Sequence, residues 1–157
     1  MPSVLEIPKA STPPGGYGEQ MPPPILATCT DSLSVGVADF RGLWRAIDVR
    51  VNGEVAPPTL KVWQHLERIE QAGNRVVITA GGVVHDMYAD GTFENGVNDV
   101  MAVDFKTPIS VAATFENDVL VLRPRGFDGV EIKRWFDGEH LMWEYSTAFL
   151  VRLERVK

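Results

Sequence analysis

The feature that most restricts this chain is the regular return of turn dipeptides from Asp39 onward. Asn52-Gly53, Ala72-Gly73-Asn74, Gly81-Gly82, Asp90-Gly91, Asn117-Asp118, Asp128-Gly129 and Asp137-Gly138 punctuate short runs rich in Val, Ile, Phe, Trp and Thr. They recur roughly every eight to twelve residues, the rhythm of strands joined by hairpins. Asn-Gly and Asp-Gly suit the type I′ hairpin, whose central residues both take φ > 0. Strands joined this way pair with their sequence neighbours, and such a meander closes most simply on itself. The fold class expected is all-β: an antiparallel up-and-down β-barrel of about 8–10 strands. The candidate strands are 42–51, 60–71, 75–79, 83–88, 97–105, 109–116, 119–123, 130–136, 139–145 and 148–156. In 60–71, Val62, Leu66 and Ile69 fit a helical period and Trp63, His65 and Glu67 do not support alternation; the segment is read as strand.

Residues 1–35 have another texture. Pro8, Pro13, Pro14, Pro22, Pro23 and Pro24 stand beside Gly15, Gly16 and Gly18. Proline removes backbone donors and glycine raises the entropic cost of order, so neither a long helix nor a central strand is expected. The division is therefore an arm or tail over 1–35 and a barrel over 36–157. Two readings of the first part stand: a flexible tail, or an arm lying on the barrel or on a second subunit as a route to a homo-oligomer. Val4-Leu5-Ile7 and Met21-Pro24-Ile25-Leu26 would be its anchors.

Charge removes several functions. With 21 acidic and 15 basic side chains in 157 residues, the net charge is −6. That leaves no basic face for nucleic-acid phosphates or an anionic membrane surface. A single Cys29 excludes an intramolecular disulfide framework and a cysteine zinc cluster, and three histidines leave little for a metal site. No cofactor and no metal are expected. The start, MPSVLEIPKASTPPGG, lacks a basic stretch followed by an apolar one, and no apolar run is long enough to span a bilayer. A cytoplasmic location is the expectation.

Alternation assigns the faces. A turn at Asp137-Gly138 places Val130, Ile132, Arg134, Phe136, Glu139, Leu141, Trp143 and Tyr145 on one face, and Glu131, Lys133, Trp135, His140, Met142 and Glu144 on the other. The first is the more apolar and should look inward, which brings Arg134 inside. A buried guanidinium needs a partner, water or an anionic ligand. Glu139 or barrel water would make Arg134 structural; an open guanidinium would make it a ligand anchor. A turn at Asn117-Asp118 sets Phe115 opposite Leu120 and Ala113 opposite Leu122. The ligand-binding candidates are therefore Arg134, Ile132, Leu141, Trp143, Phe115, Leu120 and Leu122, an apolar lining with one polar group.

His85 shares a strand face with Met87, while Asp86 shares the other with Tyr88, so His85 and Asp86 are not a dyad. Facing inward, His85 would join the ligand site or shuttle a proton; the plainer reading is a strand-end histidine bonded to a loop. No nucleophile elbow, zincin motif or phosphate loop occurs, and no catalytic residue is assigned.

The residues resemble the calycins: lipocalins and, more closely, intracellular fatty-acid-binding proteins. Asp39-Phe40-Arg41-Gly42-Leu43-Trp44-Arg45 is similar to their opening motif, and Gly73-Asn74-Arg75-Val76-Val77-Ile78-Thr79 to an early strand. Phe115 to Leu122, Gly129 to Arg134 and Asp137 to Glu144 follow their last strands, and Leu153-Glu154-Arg155-Val156 their ending. The resemblance implies that Gly42 lets the chain turn onto the barrel floor. It also implies that Trp44 plugs the floor, with Arg155 or Arg152 over the indole. In the resembled family two arginines and a tyrosine clasp a carboxylate. Arg134 matches the first arginine, but Val151 and Leu153 stand at the other two positions. A helical lid would not fit between Val51 and Leu60. The haem-binding relatives differ at the residues following Trp44, and their histidine has only the outward His140 as a counterpart. The implied function is carriage or sensing of a small apolar or amphipathic molecule inside the barrel. Alternatives are a calycin-fold isomerase or lyase acting on a small hydrophobic substrate, or a barrel serving protein interaction.

Overall fold

The computed structural model describes residues 2–157 and is an antiparallel meander rolled into a nearly closed barrel. Its strands are β1 (Gly42–Val51), β2 (Glu54–Val55), β3 (Leu66–Ala72), β4 (Arg75–Ala80), β5 (Val83–Tyr88), β6 (Val97–Val100), β7 (Pro108–Glu116), β8 (Val119–Pro124), β9 (Ile132–Asp137), β10 (His140–Tyr145) and β11 (Phe149–Arg155). The ladder order is β5-β4-β3-β1-β11-β10-β9-β8-β7-β6, with the short β2 paired to β1. Closure comes from β1 against β11, the first and last strands.

Three readings of the sequence need correction. The segment 60–71 is not one strand: Lys61–Gln64 is a 3₁₀ turn and β3 starts at Leu66. Its helical spacing over Val62 belongs to that turn. The strand expected over 97–105 stops at Val100, because Phe105 takes φ 56 and its N–H bonds back to Met101. Finally, the β9–β10 turn is Gly138-Glu139, with Asp137 opposite His140. Of these two turn residues only Gly138 has positive φ, which fits the type II′ hairpin rather than type I′. Pairing slips by two residues, so Arg134 faces Trp143 rather than Leu141. A slip of two keeps every side chain on its face. At Asn117-Asp118 both φ values are positive, and Phe115 pairs with Leu120 and Ala113 with Leu122 as alternation requires.

One end of the barrel is sealed. Trp44 is fully buried, its Nε1 donates to the Phe40 carbonyl at 2.9 Å, and the Arg155 guanidinium lies 4.3 Å from the indole centroid. Arg155 also donates to the Arg41 carbonyl. Any Cβ at Gly42 would strike that guanidinium, so glycine is needed where the chain turns onto the floor. A bulge between Ala46 and Asp48 moves β1 from even to odd inward positions: Trp44 and Ala46 face the core before it, Val49 and Val51 after it.

Residues 2–37 run as an arm over the outer face of β3–β5, with a single 3₁₀ turn at Val4–Glu6 and one isolated bridge, Leu33 to Gly73, before Phe40 enters the barrel core. Leu26 is buried there, in a cluster with Ala72, Val77 and Val84. Because prolines leave the arm short of donors, side chains of the sheet supply much of its bonding. Arg75 donates to the carbonyls of Val4, Ile7 and Pro8 at 2.8, 2.7 and 3.0 Å. Asp86 accepts from the Ala10 N–H at 2.9 Å, and Glu70 from those of Ile25 and Leu26.

Candidate functional site

Between the sealed floor and the opposite rim the barrel holds a cavity of about 530 Å³. Its walls are largely aliphatic and aromatic: Ile78, Met87, Val97, Val111, Leu122, Ile132, Trp143 and Phe149 among others. Val103, Phe127 and Tyr145 line its outer part and are themselves exposed, so they mark the rim. Polar side chains enter from His65, His85 and Arg134.

Strand geometry explains this distribution. Inward positions of β9 and β10 are Ile132, Arg134, Leu141 and Trp143, and those of β5 are Val83, His85 and Met87. Of the residues expected from sequence, Arg134, Ile132, Trp143, Leu122 and His85 line the cavity. Phe115, Leu120 and Leu141 also face inward, but they belong to the packed layer around Phe40 and Trp44, outside the cavity wall.

Of the two readings the sequence leaves open for Arg134, the structure shows the carboxylate-paired one rather than an open cation. Its partner is Glu67 of β3, bonded by Nε and Nη2 to the two carboxylate oxygens at 3.0 Å each. Glu139, the partner considered from sequence, is an exposed turn residue. Glu67 is wholly buried. Burial opposes its charge, but the Arg134 charge and the His65 hydrogen bond outweigh burial and hold its carboxyl from an ordinary 4.5 down to about 2. His65 Nε2 lies 2.6 Å from Glu67 Oε1. Since the carboxylate is ionised, the imidazole nitrogen donates.

The His65 ring stacks on Trp143 with centroids 4.2 Å apart, and Arg134 sits 5.2 Å from the Trp143 centroid. Residues 65, 67, 134 and 143 thus form one buried polar unit under the cavity. Two of its donors lack acceptors. Arg134 Nη1 makes no hydrogen bond among the described residues, and Trp143 Nε1 is buried without a partner. His85 Nε2 is 3.1 Å from the Val100 carbonyl, which can only accept, so Nε2 carries the proton. Burial pushes His85 below its ordinary value, against the Val100 carbonyl and Asp99, so Nδ1 is an acceptor.

His65 and Glu67 escaped the sequence reading. In β3 the residues Glu67, Ile69 and Gln71 point inward while Arg68 and Glu70 face the arm, so polar side chains lie on both faces and no alternation marks the site. No group of three or more His, Cys, Asp or Glu among the described residues is placed to share a metal ion, and no described helix is long and apolar enough to cross a membrane.

No family model and no curated protein matches the chain. Among solved structures, human cRBP IV, a cellular retinol-binding protein, superposes with a TM-score of 0.57 over 76% of this chain and 99% of that one, at 15% identity. The fold is calycin-like. In this barrel the plugged floor, the hairpin meander and the interior cavity occur together, and Val151 and Leu153 are fully buried core residues.

Proposed function

We propose that this calycin barrel binds a small apolar or amphipathic molecule in its interior, as a carrier or sensor. The cavity is the observation that carries this reading. About 530 Å³ falls within the span of small-molecule sites, and apolar walls with a few converging polar groups are their usual composition. The retinol-binding neighbour supports an interior site for a lipophilic ligand in this architecture. A fluorescence titration with Nile red tests it. The parent protein should bind with a blue-shifted, saturable signal, and Ile132→Trp, which fills the cavity from β9, should weaken binding at least about tenfold. A parent that shows no saturable signal, or a variant that binds as the parent does, would remove the interior site.

The His65–Glu67 contact supports a second reading, an isomerase or lyase working on a ligand in the same cavity. A carboxylate that fixes an imidazole is the arrangement of a general base. Exchange of the α-protons of 2-dodecanone with D2O, followed by NMR, separates the readings. Catalysis requires exchange that Nile red competes away and His65→Gln abolishes; a carrier shows none.

A further inference from the structure

We propose that the cavity selects neutral, hydrogen-bond-accepting lipophiles (ketones, aldehydes or esters) over fatty acids, and that Glu67 is the residue that sets this preference. The inference rests on the interior-ligand reading and deepens it.

Four observations converge. First, the guanidinium on the cavity wall already has a carboxylate on it. Glu67 Oε2 and Oε1 take the Nε and Nη2 protons at 3.0 Å each, the fork geometry a ligand carboxylate would use. Glu67 therefore stands in place of a ligand's anion, supplied from the opposite wall by β3. Second, the pair is net neutral and almost wholly buried, with side-chain exposures of 5% and 0%. A second carboxylate brought beside it would lose its hydration, meet Glu67 as a like charge and find only part of the guanidinium free. Third, what remains unpaired is a set of donors. Among the described residues Arg134 Nη1 has no acceptor, and the Trp143 Nε1–H is buried without one on a residue of the cavity wall. A carbonyl oxygen satisfies a donor without bringing charge. Fourth, the residues of β11 paired with Trp143 and Leu141 are Val151 and Leu153, both fully buried and apolar, so this wall adds no charge beside Arg134. Among the described residues no second arginine or lysine joins Arg134 in the cavity: the other polar side chains on its wall are His65, whose Nε2 is held by Glu67, His85, whose Nε2 is held by Val100, and Tyr145 out at the rim.

The test is displacement of Nile red by ligands of equal chain length: 2-dodecanone, methyl undecanoate and dodecanoic acid at pH 7.5. In the parent, ketone and ester should displace at concentrations at least about tenfold below the acid. Glu67→Gln keeps the shape and removes the charge, so Arg134 becomes an open cation; the acid should gain about tenfold or more and overtake the ester. A parent in which the acid competes as well as the ester overturns the proposal, as does a folded Glu67→Gln variant with an unchanged order. Should that variant not fold, the parent alone still decides: lowering the pH from 8 to 5 should strengthen the acid, as it becomes neutral, and leave the ketone unmoved. An acid that gains nothing over the ketone across that range overturns the proposal. Failure of Nile red to bind at all is a different result, which removes the interior site and this selectivity with it. Nile red binding with the wrong order of competitors removes only the selectivity.

Discussion

Two buried arginine–carboxylate pairs lie on opposite faces of the same sheet. Arg75–Asp86 is outside, under the arm; Arg134–Glu67 is inside, at the cavity. Both are bidentate, with distances of 2.7–2.8 Å in the first and 3.0 Å in the second. They differ in what their remaining polar atoms meet. Arg75 spends its other bonds on Val4, Ile7 and Pro8, and Asp86 takes the Ala10 N–H, so the outer pair is saturated by the chain itself. The inner pair is completed by His65 on one side and keeps Arg134 Nη1 open on the other. A saturated buried pair fixes a conformation; an unsaturated one beside a cavity has bonding capacity left for something else. The same chemistry thus serves as a clamp on one face and as a candidate recognition element on the other.

The comparison can be broken most severely by removing what the outer pair holds. A chain starting at residue 36 strips three carbonyls from Arg75 and uncovers Val77 and Val84, and it should lose about 5 kcal/mol or more in urea denaturation. An unchanged midpoint would reduce the arm to a tail. Next, Asp86→Ala leaves Arg75 buried without its counter-charge and should cost about 3–5 kcal/mol, while Nile red binding in folded protein stays at the parental level. Glu67→Gln should cost less, about 1–3 kcal/mol, because Arg134 Nη1 faces the cavity and can recruit water there. A larger loss than in Asp86→Ala would erase the distinction between the two pairs.

Acid unfolding sharpens it further. The Glu67 carboxyl sits at about 2 in the folded protein against an ordinary 4.5, so its ionisation contributes about 3 kcal/mol of stability above pH 4.5. That contribution disappears as pH falls from 4.5 towards 2. The Glu67→Gln variant should therefore lose less stability than the parent over this window. Equal acid limbs in urea titrations would show that Glu67 ionises normally. The smallest effect is at Thr79, whose hydroxyl is buried under the arm without a partner. Thr79→Val should be neutral or stabilising by about 1 kcal/mol.

Why the inner pair was half legible follows from the same geometry. Arg134 could be placed inside because β9 and β10 each have one wet face, so their alternation is readable, and a two-residue error in register preserves parity. Strand β3 shows no such contrast. The arm covers its outer face, burying Ala72 and drawing in Arg68 and Glu70, while Glu67 and Gln71 place polar atoms on the inner one. With both faces buried and both carrying charge, β3 loses the pattern that would have set Glu67 opposite Arg134. Their pairing spans 67 residues of sequence and no local rule connects them. The closed end, by contrast, was legible through the family resemblance, which implied Gly42, Trp44 and a covering Arg155 or Arg152; the structure shows Arg155 over the indole.

The barrel is not fully sealed along its side, because β5 and β6 share no ladder. Apart from a Tyr88 N–H bond to the Asn95 carbonyl at 2.8 Å, no ladder joins their facing rows of backbone groups, the kind of edge that recruits strands from other molecules. The arm crosses this opening. Lys9 donates to the Gly96 carbonyl at 2.6 Å, Thr12 N–H to Asp99 at 2.9 Å, and the Thr12 hydroxyl accepts from Val84 N–H at 3.0 Å. With Pro8 and Pro13 flanking those contacts, the covering segment cannot itself extend the sheet or pass the ladder on to a further chain. A chain with the arm intact should therefore stay monodisperse at concentrations where the arm-deleted one associates edge to edge. In this protein the proline-rich stretch that looks least structured in sequence is also the segment that covers the open edge of the sheet.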